Sequence, residues 1–206
     1  MQALLVHGMG RTPLSMFRLG RKLRRAGHTV EVLGYMTSVE PFARIVRRVQ
    51  ERFTRIAARG PYVVVGHSLG GLLARAALGS HPSSFTWPAH LIMLGTPNRS
   101  PRQARRFGKL LPYRWINGEC GQLLMQDDFF AQLPPLSIPY TLVAGTRGAP
   151  GWSAFGKEPN DGLVAVSETL VAPSDTPITI PARHTFMMND RKVLAVILQV
   201  LQSLER

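Results

Sequence analysis

Ser68 stands in the pentapeptide Gly66-His67-Ser68-Leu69-Gly70, between the apolar run Tyr62-Val63-Val64-Val65 and the stretch Gly71-Leu72-Leu73-Ala74-Arg75-Ala76-Ala77-Leu78. A β-rich run, a glycine-flanked serine and an Ala/Leu-rich segment read as strand, sharp turn and helix. A serine at that apex is held out of the sheet at the N-terminus of a helix, in a backbone conformation tolerated only where its neighbours lack side chains. Gly66 and Gly70 supply that room. The chemistry open to such a serine is nucleophilic. Its hydroxyl needs a neighbouring base to take the proton, and the base needs a third group to fix its tautomer and stabilise its charge.

Six histidines are available as the base. His7 lies in the loop after the first strand and His67 inside the turn, while His28, His81 and His90 fall at element boundaries. His184 differs: it follows the last strand in Pro181-Ala182-Arg183-His184-Thr185-Phe186 and leads into the final helix, a position from which a base meets a nucleophile on a central strand. The acid is sought between Ser68 and His184, among Asp127, Asp128, Asp161 and Asp175, with Glu119, Glu158 and Glu168 behind them. Asp161 leads, because the turn Asn160-Asp161-Gly162 can aim a carboxylate along the top of the sheet. Asp175, just before the last strand, is the runner-up, and the pair Asp127-Asp128 would serve only with the acid on the preceding strand. The tetrahedral intermediate also needs two donors for its oxyanion. The backbone N–H of Leu69 is one, and the loop Val6-His7-Gly8-Met9-Gly10-Arg11 offers the other at Met9, with Gly8 and Gly10 allowing close approach.

The elements that must position these groups alternate along the chain. Leu4–Val6, Thr29–Leu33, Tyr62–Val65, His90–Leu94 and Tyr140–Ala144 are short β-rich runs bounded by Gly or Pro, and Pro177–Ile180 adds an edge strand. Met16–Ala26, Val39–Ala58, Leu69–Gly79 and Asp190–Leu204 read as helices, the second preceded by a Thr37-x-x-Glu40 capping box. Strand and helix in alternation predict an α/β fold with a mainly parallel sheet covered on both faces. The connection over residues 97–139 is too long for a plain loop and should carry helices of its own. Arg102, Arg105, Arg106 and Lys109 would form one basic face there, with Phe107, Leu110 and Leu111 pointing elsewhere. Such an insertion after the fourth strand either covers the substrate pocket or packs permanently on the sheet edge.

The 206 residues, 45% of them hydrophobic, suit one domain over residues 1–206, with 97–139 as a cap-like insertion. No apolar run is long enough to span a bilayer, and the N-terminus has neither a basic leader nor a signal-peptide core. One cysteine, Cys120, excludes an internal disulfide and a thiolate cluster, so a reducing, cytoplasmic setting is expected. The net charge of +13 comes mainly from arginine, in runs over 18–25, 44–59 and 99–114. Solvated faces account for such charge, and weak association with an anionic membrane surface is the next reading. Nucleic acid is not expected as a partner, since no binding module is present and exposed aromatics do not interleave with the arginines.

Five segments in order, His7-Gly8-Met9-Gly10, Gly66 to Gly70, Leu94-Gly95-Thr96-Pro97-Asn98, Asn160-Asp161-Gly162-Leu163-Val164 and His184, resemble the α/β-hydrolase superfamily, and within it the bacterial lipases and small esterases. With the strand before the first and the loop after the last, they span residues 4 to 186. The resemblance implies a Ser68, Asp161, His184 triad, an oxyanion hole from Met9 and Leu69, and a minimal six-stranded sheet, since the chain starts at what would be the fold's third strand. Similar secreted lipases hold calcium through an aspartate two residues after the histidine. Phe186 occupies that position here, and no metal or other cofactor is expected. The implied activity is cleavage of a carboxylic ester through an acyl-enzyme, on a small-molecule substrate with a lipophilic acyl group. Phe129, Phe130, Leu133 and Trp152 either meet that group or form the cap's own core. Acyl transfer or thioester cleavage would use the same residues, and a non-catalytic membrane-binding module is the alternative from another class.

Overall fold

The computed structural model describes residues 1–79, 86–108, 111–148 and 154–205, with residues 111–114 and 116 described by their backbone alone. Six strands, β1 (Gln2–Val6), β2 (Thr29–Leu33), β3 (Tyr62–His67), β4 (His90–Leu94), β5 (Tyr140–Gly145) and β6 (Ile178–Ile180), form one sheet in the order β2-β1-β3-β4-β5-β6. Every neighbouring pair is parallel. The helices are α1 (Phe17–Arg25), α2 (Phe42–Ala57), α3 (Leu69–Leu78), α4 (Arg102–Phe107), α5 (Leu111–Leu123), α6 (Asp127–Ala131) and α7 (Arg191–Ser203), with 3-10 turns at Pro13–Met16, Val166–Thr169 and His184–Asn189.

The central strands are apolar along nearly their whole length because both faces are covered, and successive side chains feed two different cores. Leu4, Val6, Tyr62, Val64, Leu91 and Met93 pack with α2 and α3 through Phe53, Ile56, Leu72 and Leu73. Ala3, Leu5, Val63, Val65, Ile92 and Leu94 pack on the other face with Leu19 and Leu23 of α1 and Val193, Ile197 and Leu201 of α7. An all-parallel sheet brings the C-terminal ends of all six strands to one edge, where the loops that bear chemistry collect.

Asp190 caps α7, accepting hydrogen bonds from Lys192 N at 2.7 Å and Val193 N at 3.3 Å. The capping box expected at Thr37 and Glu40 does not form. Pro41 is the N-cap of α2, the helix begins at Phe42, and Glu40 instead accepts from Met36 N and pairs with Arg48. The turn of Met36 to Glu40 ends before the helix because Pro41, at φ −62 and ψ 148, holds the chain extended.

The segment between β4 and β5 holds α4, α5 and α6. α5 breaks at Gly118, whose φ of 54° and ψ of −146° lie outside the helix, and a Cβ there would stand 2.2 Å from the Thr37 carbonyl oxygen. Only glycine admits that approach of α5 to the loop after β2. Arg102 does not contribute a free charge to a basic face: it pairs with Glu158 and, at 2.9 Å, with Glu168, while Arg105 lies 3.4 Å from Asp127. Lys109, Leu110, the side chain of Leu111, His81 and Trp152 lie outside the described residues. No helix among the described residues is long and apolar enough to cross a membrane.

Candidate active site

Ser68 is the one non-glycine residue with positive φ among the described residues, at φ 53° and ψ −124°, between the end of β3 and the start of α3. Such a backbone costs on the order of 1–3 kcal/mol and persists only when its surroundings impose it. Here they do. A Cβ at Gly66 would lie 2.5 Å from Gly71 Cα, and one at Gly70 would lie 2.2 Å from the Val6 carbonyl oxygen. Ser68 N also donates to the Leu94 carbonyl at 2.9 Å, tying the apex to β4. Gly71, which sequence reasoning treated only as helix, is equally constrained: its Cβ would fall 2.0 Å from Thr96 Oγ1.

Asp161 and His184 arrive from two other loops. Asp161 is 3% exposed, and its Oδ1 accepts from Leu163 N at 3.0 Å and Val164 N at 2.8 Å. Its Oδ2 stands 2.7 Å from His184 Nδ1, and His184 Nε2 stands 2.9 Å from Ser68 Oγ. A carboxylate only accepts, so the imidazole proton lies on Nδ1 and Nε2 is free to accept from the serine hydroxyl. The structure thus joins Asp161, His184 and Ser68 in one continuous row. Gly95, at φ 55°, lets the chain after β4 pass beside it, for a Cβ there would lie 3.0 Å from Asp161 Oδ2 and 3.2 Å from His184 Nδ1.

The other carboxylates weighed from sequence serve elsewhere. Asp175 accepts from Val171 N, Ala172 N and the Tyr140 hydroxyl. Asp127 and Asp128 open α6, Glu119 lies 3.4 Å from Phe42 N, and Glu158 and Glu168 hold Arg102. The Thr96-Pro97-Asn98 segment acquires a structural role: Asn98 Nδ2 donates to the Thr169 carbonyl at 2.8 Å and its Oδ1 accepts from buried Arg75 at 3.0 Å. Leu69, the first residue of α3, has an N–H with no carbonyl a helical turn behind it. Met9 is half-buried and lines the same pocket as Ser68.

That pocket, of about 100 Å³, is walled by Met9, Pro97, Pro101, Ala104, Leu124 and Val164, with Phe107 and Leu163 at its exposed lip and Ser68 and His184 on its floor. Phe129, Phe130 and Leu133, which from sequence could either meet the acyl group or form core, are not among its lining residues. They pack into the core beside α2, with Phe129 edge-on to Phe42 at 5.1 Å. Pro97, Pro101, Ala104, Phe107 and Leu124 come from the 97–139 segment that the sequence offers as a cover for the pocket, but these individual residues carry no periodic signal, and only the fold brings α4 over Ser68. Among the described residues, no group of three or more His, Cys, Asp or Glu side chains could hold a metal ion.

Two further histidines lie buried behind the row. His67 Nε2 donates to the His184 carbonyl at 2.9 Å, and His7 Nδ1 donates to the Gly8 carbonyl at 2.9 Å while its ring stacks on Tyr35. Each has one ring nitrogen without a hydrogen-bond partner among the described residues, His7 Nε2 and His67 Nδ1. Burial pushes both below the usual histidine value of 6.5, His67 well below it, with the neighbouring His184 adding to the effect on His67. Burial likewise lowers His90. A histidine depressed in the folded state is protonated first in the unfolded chain, so its contribution to stability is present above pH 6.5 and is lost as pH falls. Each such residue steepens the decline by up to about 1.4 kcal/mol per pH unit. Thermal unfolding is therefore expected to show a Tm that drops from about pH 6.5 to pH 5, with a shallower drop in His67→Gln. An unchanged slope in that variant would contradict the assignment.

The parallel six-stranded sheet, the serine elbow at its centre and the loops at its C-terminal edge define an α/β hydrolase, and the chain belongs to the alpha/beta hydrolase family, whose model matches residues 3–200. Among solved structures it is similar to the mature lipase BlEst2 of Bacillus licheniformis, with 19% identity, a TM-score of 0.72, and coverage of 97% of this chain and 91% of that one. It is also similar to the phospholipase PlaB of Legionella pneumophila, at 17% identity and a TM-score of 0.68, covering 83% of this chain but only 46% of that one. An extracellular alpha/beta-hydrolase from a Paenibacillus species matches at 14% identity and a TM-score of 0.63, over 97% of this chain and 98% of that one. At these identities the likeness is one of fold. No curated protein matches the sequence.

Proposed function

We propose that this protein is a serine hydrolase that cleaves carboxylic esters through Ser68, His184 and Asp161. The reading is carried by one observation: an unbroken hydrogen-bonded row, 2.7 Å from Asp161 to His184 and 2.9 Å from His184 to Ser68, that ends at the floor of an apolar pocket. Ser68 Oγ attacks the acyl carbon as His184 Nε2 takes its proton. The ester C–O bond then breaks as that proton passes to the leaving alcohol. Water, deprotonated by the same imidazole, attacks the acyl-enzyme and releases the acid. Asp161 holds the ring in the tautomer that can accept and stabilises the imidazolium. The N–H groups of Met9 and Leu69 are assigned to the oxyanion, each worth roughly 3–4 kcal/mol of barrier.

The lining supports a lipophilic acyl group, because Pro97, Pro101, Ala104, Phe107 and Leu124 offer an acyl chain apolar contact and no charge. A series of p-nitrophenyl esters from acetate to palmitate tests this, read as free acid released, with mass-spectrometric mapping of a serine-directed phosphonate probe. Turnover with labelling at Ser68 is expected. A folded protein that cleaves no chain length and leaves Ser68 unlabelled overturns the reading, and an acyl group recovered only as the ester or amide of an added alcohol or amine makes the protein an acyltransferase.

A further inference from the structure

Exposed apolar side chains scattered singly over a surface mean little, but here they are not scattered. Among the described residues, all but two of the ten exposed large hydrophobics sit in segments that follow the C-terminal ends of strands, on the edge that carries Ser68; the exceptions are Trp87 and Ile178. Leu14 (78% exposed) and Phe17 follow β1, and Met36 and Val39 (72%) follow β2. Phe107 and Trp115 (78%) follow β4, Leu163 follows β5, and Phe186 (64%) follows β6.

Contacts between the segments make this one rim. Pro13 of the β1 segment lies against Gly34 of the β2 segment, and Thr37 lies against Gly118 of α5. Arg11 stands 6.0 Å over the Phe186 ring, joining the β1 and β6 segments, and Met9, Phe107 and Leu163 meet around the pocket.

Arginines stand between these apolar residues. Arg106, Arg147 and Arg183 are exposed and Arg11 half-exposed, and none of the four makes an ion pair among the described residues. The rim's carboxylates are largely spent: Glu40 is held by Arg48, Glu158 by Arg102, Asp161 by His184 and Asp190 by the N-terminus of α7. Separate apolar tips with unpaired guanidinium groups between them suit a fluid, negatively charged interface. Each tip can sink independently among acyl chains while the arginines reach headgroup phosphates. Protruding Trp115, whose ring carries both an apolar body and an N–H, fits the same boundary.

We propose that the active-site edge of this protein is a docking surface for an anionic lipid bilayer, which sets the mouth of the Ser68 pocket against the membrane. The docking goes beyond the ester-hydrolase reading, and its test reads binding rather than turnover.

The test is vesicle co-sedimentation of the full chain, with phosphatidylcholine vesicles carrying about 30% phosphatidylglycerol and with phosphatidylcholine alone. Binding is expected to the anionic vesicles, weakening as ionic strength rises to about 0.5 M. The double variant Arg11→Glu, Arg106→Glu is expected to lose at least about tenfold in affinity. Arg25→Glu, Arg55→Glu alters the same number of charges on exposed arginines at the C-terminal ends of α1 and α2, away from the rim, and is expected to lose less than about threefold. Leu14→Ser, Trp115→Ser leaves the charge untouched and should also lose about tenfold. Equal loss from both arginine pairs would reduce the effect to net charge and overturn the proposal. So would failure of the folded wild type to bind anionic vesicles. If the Leu14→Ser, Trp115→Ser variant instead dissociated a dimer in solution without changing vesicle binding, the rim would be a protein interface and bilayer docking through it would be overturned.

Discussion

Asp161→Asn is expected to lower kcat/KM for ester cleavage by about 10⁴-fold, and Ser68→Ala by about 10⁶-fold, with the fold intact in both. The serine substitution removes the proposed nucleophile itself. The asparagine effect is more specific to this structure. Asp161 Oδ1 accepts two backbone hydrogen bonds, from Leu163 N and Val164 N, and the other oxygen faces His184 Nδ1. An asparagine keeps those two bonds only if its carbonyl oxygen takes the Oδ1 place, which turns its NH₂ toward His184. The imidazole must then accept at Nδ1 and carry its proton on Nε2, where it donates to Ser68 and cannot take its proton. The side chain is nearly isosteric and the loop bonds survive, so Tm should move little. Steady-state kinetics with circular dichroism and thermal unfolding check this. A loss of activity that tracked loss of folded protein, or a fall below about tenfold, would remove Asp161 from the proposed role.

The row was legible in the sequence because each member sits at a punctuation mark of the fold. Ser68 lies between glycines at a strand-to-helix switch, Asp161 lies in an Asn-Asp-Gly turn, and His184 lies between the last strand and the last helix. The alternation of apolar strands with amphipathic helices likewise predicted the six strands that are found, to within a residue or two at each end. What escaped was whatever depends on tertiary contact. The Thr37-x-x-Glu40 pattern matched a capping box, yet Pro41 ended that turn and started α2 afresh at Phe42. Arg102 fell at helical spacing with other cations, but its partners Glu158 and Glu168 lie more than 50 residues away in the chain and gave no local sign. The pocket lining is of the same kind, since Met9, Ala104 and Val164 become neighbours only once the sheet has gathered its C-terminal ends.

Gly70→Ala is expected to be the most damaging single methyl addition at the site, costing about 3 kcal/mol or more and lowering Tm by roughly 6–12 °C. The added Cβ would stand 2.2 Å from the Val6 carbonyl oxygen and 2.5 Å from that of His7. Both are backbone atoms at the end of β1, so no rotamer change relieves the overlap, and α3 must move away from the strand. Gly156→Ala supplies the comparison: its φ of 56° strains an alanine, but nothing lies within 4 Å of the new methyl, and the cost should stay near 1–2 kcal/mol. The chemical consequence at Gly70 follows from which segments are forced apart. Leu69 opens α3 and Met9 follows His7 by two residues, so the contact that Gly70 permits sets the spacing between the two N–H groups assigned to the oxyanion. Even the folded fraction of Gly70→Ala should therefore lose about 10²-fold in kcat with KM little changed, since a ground-state ester asks less of those donors than the tetrahedral oxyanion does. Thermal unfolding measures the first effect, and kinetics normalised to phosphonate-labelled protein measure the second. A variant with wild-type Tm and wild-type kcat would mean that neither the close packing of α3 on β1 nor the paired donors govern this site.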